Sequence, residues 1–133
     1  MIGILVASHG GFAQSLLESA EMIFGPAENV RTIGLYPADD VCTFYKKIVE
    51  LVRELDDGDG VLTLVDLKGG SPCNQAIMAL REVSFSCLTG VNLPMLIEAL
   101  NGRCFMNLKE LSESCAAIAC EGVTDISLEL LKQ

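Results

Sequence analysis

The chain has 133 residues, enough for one ordinary domain with a substantial core. Half of it is apolar, 20% is charged, and mean hydropathy is +0.43, a richness that predicts some surface covered by a second subunit. Nine Lys and Arg against 18 Asp and Glu leave a net charge of -9 with no basic run, which excludes a nucleic-acid role, since that needs cations to displace counterions from phosphates.

Ile2 to Ala7 is an apolar run with β-branched residues and reads as a strand buried on both faces. The stretch Ile4 to Ala7 is far short of the ~18–20 residues of a membrane span, and no basic residue precedes it as in a signal peptide, so a cytoplasmic protein is expected. From Phe12 the spacing turns helical, with Phe12, Leu16, Ala20 and Ile23 on one face, and Gly25-Pro26 closes it. Val30 to Tyr36 is predicted as a second strand and Val41 to Leu55 as a second helix, ended by "DDGDG". Val61 to Leu67 is a third buried strand, followed by "KGGSP" and a helix from about Pro72 to Arg81. Phe85 to Leu88 gives a short fourth strand, a short helix starts at Pro94 and stops at Asn101-Gly102, and a longer helix covers about Leu108 to Glu121. Asp125 to Leu131, "DISLELL", alternates like an exposed or partner-paired strand.

Buried strands alternating with amphipathic helices make an α/β fold: a doubly wound, mostly parallel sheet with helices on both faces, and residues 1–133 read as one domain. The six cysteines, at 42, 73, 87, 104, 115 and 120, sit in apolar periodic segments without a CxxC pair or a nearby histidine, and are expected as buried small hydrophobes. No metal-ligand spacing occurs, and no cofactor is called for.

Ligands of such sheets bind beyond the carboxyl ends of the strands. The first strand ends in Ser8-His9-Gly10-Gly11, holding the only histidine, and the third in Asp66-Leu67-Lys68-Gly69-Gly70-Ser71. If the two ends are neighbours, a carboxylate at Asp66 accepting one ring N–H of His9 fixes the tautomer and leaves the other nitrogen a lone pair for attack. Gly69 and Gly70 allow the backbone to turn its N–H groups inward, Ser71 reads as an N-cap, and Pro72 suits the first helical position, so a helix N-terminus points an anion site at His9. There is no GxSxG elbow for a hydrolase. Ser8 adjoins His9 in sequence, a poor geometry for a relay. Arg31, Arg53, Arg81 and Arg103 stand away from these loops, so the arginine clamp of a phosphohistidine phosphatase is missing. A histidine phosphocarrier and a receiver-like switch remain, and a receiver needs an acidic pair after the first strand, where this chain has Ser8-His9. A regulatory module of the same fold would keep the glycine loops but tolerate loss of His9.

Three segments, "VASHGGFAQSLLESAEMIFG", "LVDLKGGSPCNQA" and "TGVNLPMLIEAL", in this order and spacing, resemble the enzyme IIA domains of the mannose family of the bacterial phosphoenolpyruvate-dependent sugar phosphotransferase system. The resemblance runs from about Ile2 to the last helix. It implies a cytoplasmic phosphocarrier that takes a phosphoryl group from HPr on His9 and passes it to enzyme IIB, and so indirectly serves the membrane subunits IIC and IID. It further implies that Asp66 orients the ring, that Gly69, Gly70 and Ser71 lie beside the phosphate, and that a homodimer exchanges a C-terminal strand, with "DISLELL" as counterpart. Lys68 departs from the apolar or aromatic residue common in relatives and is expected to bring a cation to the rim of the site. Relatives often continue into a fused IIB domain, whereas the sequence ends at Gln133, so a separate IIB is expected. Nothing in the residues names the sugar.

Overall fold

The computed structural model describes residues 1–132. Strand β1 runs Gly3–His9, one turn ahead of helix α1 at Phe12–Phe24, then β2 at Val30–Leu35 and α2 at Val41–Leu55. After these come β3 at Val61–Val65, α3 at Ser71–Ala79, β4 at Ser86–Thr89, α4 at Leu93–Gly102, α5 at Leu108–Glu121 and α6 at Ile126–Leu131. All pairings are parallel and the order is β2-β1-β3-β4. The chain therefore lays β2 on one side of β1 and then crosses to the other, which puts the reversal of strand order between β1 and β3.

Alternation along β1 and β3 divides the interior. Ile4, Val6, Leu62 and Leu64 face α1, α4 and α5, while Leu5, Ala7, Val61 and Val65 face α2 and α3. Both central strands are thus buried on both faces, as their unbroken apolar runs require. Arg103 is also buried: its guanidinium donates to the carbonyls of Ile2, Asn29 and Glu28, at 3.1, 3.3 and 2.5 Å, and ties β1 to the loop before β2. Desolvation lowers its pKa from the ordinary arginine value.

Several expectations need correcting. Residues 125–131 are not a strand here: Asp125 caps α6 by accepting the Leu128 N–H at 3.1 Å, and Ile, Leu and Glu carry the short helix. A strand gains its hydrogen bonds only from a neighbouring strand, whereas this segment makes its own, the Glu129 N–H donating to the Asp125 carbonyl at 3.1 Å. In α1 the buried face is Ala13 and Ala20, with Leu16 and Leu17 packed beside them, while Phe12 and Ile23 are largely exposed. Two alanines seven residues apart let the helix approach the sheet closely, which turns the bulky ends outward. Of the six cysteines only Cys73 and Cys115 are buried; Cys87 is half-buried and Cys42, Cys104 and Cys120 are exposed.

Candidate functional site

The last paired residues of the two central strands are Ala7 and Val65. The register carries one step further through the Asp66 N–H, which donates to the Ala7 carbonyl at 3.2 Å, so His9 and Asp66 emerge side by side. The His9 backbone N–H donates to Asp66 Oδ2 at 2.8 Å, and His9 Nδ1 lies 2.7 Å from the same oxygen. Asp66 Oδ1 accepts the Leu67 N–H at 2.8 Å. A carboxylate can only accept, and Oδ2 already takes the His9 backbone N–H while Oδ1 takes that of Leu67. It can take only a proton from Nδ1, which assigns the lone pair to Nε2. The Asp66 side chain is 14% exposed and that of His9 is 51% exposed, so the orienting group is sheltered while the ring is open to a partner.

Ser8, dismissed from sequence as a relay, faces the other way and is wholly buried. Its Oγ accepts the Ala13 N–H at 2.8 Å and donates to the Gly10 carbonyl at 3.4 Å. Gly11 precedes α1 with no side chain to cap it, and Ser8 supplies the missing acceptor from within β1. The turn after His9 is fixed on its far side too. Gly10 takes φ +52, its N–H donates to the Leu35 carbonyl at 2.8 Å, and its own carbonyl crosses Gly34 so closely that a Cβ there would stand 2.1 Å from the oxygen. His9 therefore rides on a backbone locked to β2, β3 and α1 together.

The glycine loop differs in part from its expected geometry. Gly69 has φ +82 and needs to be glycine, but Gly70 is extended, is the N-cap of α3, and spends its N–H on the Leu67 carbonyl at 3.1 Å. Ser71 is accordingly the first helical residue and makes no side-chain cap, with Pro72 behind it. The expected cradle thus narrows: the Gly70 N–H is taken, and the unpaired donors of the first turn belong to Ser71 and Cys73, since Pro72 has none. The positive end of α3 still opens beside the ring, because a Cβ on Gly70 would stand 2.8 Å from His9 Cε1.

A cleft of about 510 Å³, not foreseen from sequence, adjoins His9 and is lined by Gly10, Leu35, Tyr36, Pro37, Asp39 and Val41. No local signal could have revealed it, because it forms only when the β2–α2 loop folds beside the end of β1. Its one acid, Asp39, accepts the Tyr36 N–H at 2.8 Å, and Asp40 caps α2 through the Cys42 N–H at 3.0 Å. Among the described residues no three His, Cys, Asp or Glu side chains converge on a metal position. Arg31 pairs with Glu54 at 2.9 Å and Arg103 is taken by carbonyls, which leaves exposed Lys68 as the cation carried by the site loop.

Residues 3–116 match the model of a protein family described as the PTS system fructose IIA component, EIIA-man. The chain belongs to this family. The IIA match reaches from β1 into α5 and so includes every element that places His9 and Asp66, while α6 lies outside it. The chain is 40% identical over 103 residues to the mannose-specific EIIAB component of Escherichia coli K12, which covers 77% of this chain and 32% of that protein. It thus spans about a third of the length of the mannose-specific relatives it matches. It is 32% identical over 120 residues to the fructose-specific EIIA component of Bacillus subtilis 168, covering 90% and 82% of the two chains. The crystal structure of a phosphotransferase-system EIIA from Streptococcus agalactiae superimposes with a TM-score of 0.88 at 30% identity, over 96% of this chain and 99% of that one. This IIA protein is accordingly a component of the sugar phosphotransferase system, and no helix among its described residues is long and apolar enough to cross a membrane.

Proposed function

We propose that this IIA protein carries a phosphoryl group on His9 Nε2, taking it from phospho-HPr and passing it to enzyme IIB in the cytoplasm. The observation that carries the reading is the double hold of Asp66 Oδ2 on the His9 N–H and Nδ1, which leaves Nε2 as the free nitrogen on a half-exposed ring. In the first step the Nε2 lone pair attacks phosphorus in line as the donor's N–P bond breaks, and the donor imidazole leaves with that electron pair. The Nδ1 proton stays in place, and the Asp66 carboxylate balances the positive charge that grows on the ring. In the second step a nucleophile of IIB attacks the same phosphorus and the lone pair returns to Nε2.

Gly69, Gly70 and Ser71 at the start of α3 lie beside the phosphoryl oxygens in this reading, with the Ser71 N–H and hydroxyl as donors. Lys68 adds a cation at the rim. The cleft beside His9 receives side chains of the docked partner, which keeps water from the phosphoramidate. No cofactor or metal of this subunit enters either step. Residues 1–133 act as one IIA domain, and the membrane subunits IIC and IID are reached only through IIB.

A homodimer belongs to the same reading. An apolar groove of about 560 Å³, lined by Cys87, Leu88, Met95, Ala119, Cys120 and Val123 among others, runs along the free side of β4, and Ile126, Leu128, Leu130 and Leu131 are exposed on the C-terminal segment. Exchange of that segment between two copies covers both apolar surfaces at once. Sedimentation at micromolar concentration is expected to show a two-chain species, and a monomer refutes the exchange.

The experiment for the carrier role incubates the protein with phosphoenolpyruvate, enzyme I and HPr, with His9→Ala beside it. One acid-labile, base-stable phosphate that is lost in His9→Ala is the expected result. No label refutes the reading, and label that survives in His9→Ala turns attention to Asp66 and a receiver-like switch.

A further inference from the structure

We infer that Gly70 is a positioning residue for His9: its bare Cα is the wall that keeps the imidazole seated on Asp66. The functional consequence rests on the phosphocarrier reading, whereas the seating itself does not.

Three reasons can demand a glycine, and two of them fail here. Backbone conformation is not the reason, since Gly70 has φ -74, which any residue adopts. Nor is a backbone donor: its N–H goes to the Leu67 carbonyl, and alanine would make the same bond. Space is left. A Cβ on Gly70 would stand 2.8 Å from His9 Cε1, 3.3 Å from the Leu67 carbonyl oxygen and 3.5 Å from His9 Nε2. Gly69 is the converse case, with φ +82 and nothing within 4 Å of its Cβ position.

The ring has little freedom to yield. Asp66 Oδ2 holds it at Nδ1, 2.7 Å away, and holds its own backbone N–H at 2.8 Å. The clash falls on Cε1, the carbon between the two nitrogens, so displacing it swings Nδ1 off its acceptor and re-aims Nε2 together. Relaxing the contact from 2.8 Å to an ordinary carbon–carbon distance of ~3.5 Å asks for a movement of about 0.7 Å. That exceeds the ~0.5 Å within which reacting groups must be held. Misplacement of about 1 Å costs on the order of a hundredfold in rate.

Gly70→Ala is therefore expected to lower the share of the Nδ1–H tautomer and slow phosphorylation by phospho-HPr about 10- to 100-fold. The test records nitrogen-15 spectra of the histidine-labelled full chain for wild type, Gly70→Ala and Gly69→Ala, with thermal melts and the phosphorylation rate of each. Gly70→Ala should melt close to wild type yet show the altered tautomer. Gly69→Ala should melt lower, through its strained φ, and keep the wild-type tautomer. A wild-type tautomer in Gly70→Ala overturns the proposal, whatever the rate does, because a slower rate alone would assign the methyl to a clash with phosphate. Unfolding of Gly70→Ala also overturns it, by assigning the glycine to the fold. If the wild type takes up no phosphate, the carrier reading falls while the spectra still judge Gly70.

Discussion

Replacing Asp66 by Asn changes one atom and sets an insoluble problem for the amide. With its oxygen in the Oδ2 position, both His9 donors are kept, but the amide NH2 then faces the Leu67 N–H, donor against donor. With the amide turned over, Leu67 is satisfied, yet the NH2 faces the His9 backbone N–H and asks Nδ1 to accept, which moves the ring proton to Nε2 and removes the attacking lone pair. Either way one N–H in a sheltered site loses its acceptor, at about 1–2 kcal/mol of stability. For a chain of this size that lowers the melting temperature by about 3–7 °C. The effect on rate is larger, because the carboxylate's charge opposes the charge that develops on the ring only as phosphorus bonds. A charge-assisted hydrogen bond lost at that moment is worth about 2–3 kcal/mol, or roughly 30- to 150-fold in rate. The assay is the single-turnover phosphorylation rate by phospho-HPr, read beside a thermal melt. A rate within threefold of wild type would show that Asp66 does not orient the nucleophile.

The other expectations concern the support of the site and the fold. Ser8→Ala leaves the Ala13 N–H without its buried acceptor and should cost about 1–2 kcal/mol in urea unfolding; an unchanged midpoint refutes the capping role. Arg103→Met strands the carbonyls of Ile2 and Glu28 and takes from that of Asn29 the second of its two donors, the Ile4 N–H remaining, and should cost about 2–4 kcal/mol, with Arg103→Lys only partly restoring it because an ammonium cannot span all three acceptors. Burial pushes the Cys87 thiol up to about 11 and that of Cys115 up to about 12, both from 9.0. Unfolded thiols release their protons near pH 9, so between about pH 9 and 11 the unfolded state binds fewer protons and stability should fall as pH rises. At neutral pH a thiol reagent should modify Cys42 and Cys104 first, and rapid reaction of Cys115 in the folded protein would contradict its burial. Lys68→Ala should slow phosphoryl exchange with a partner about two- to fivefold without abolishing it, and an unchanged rate removes the rim cation from the mechanism.

The elements that carry the site are legible along the chain, because their signals are local. An apolar β-branched run from Ile2 stops at His9, another from Val61 stops at Asp66, and α2 at Val41–Leu55 coincides with its periodicity. The sequence also put His9 and Asp66 forward as a pair, through the rule for doubly wound sheets and through the family resemblance. The folded structure was needed to show that β1 and β3 are neighbours in a register that closes at Ala7 and Val65, which brings the His9 backbone N–H and Nδ1 onto one oxygen of Asp66. It alone turned Ser8 toward α1, rotated α1 onto Ala13 and Ala20, and opened the cleft between His9 and Val41. It likewise reassigned Gly70, expected from sequence to turn its N–H toward an anion, whose N–H goes to the Leu67 carbonyl and whose missing Cβ leaves room for the His9 ring. The division has a physical cause: hydrophobic period and turn chemistry act over a few neighbouring residues, whereas pairing register, the packed face of a helix and a missing Cβ acquire meaning only when distant segments meet.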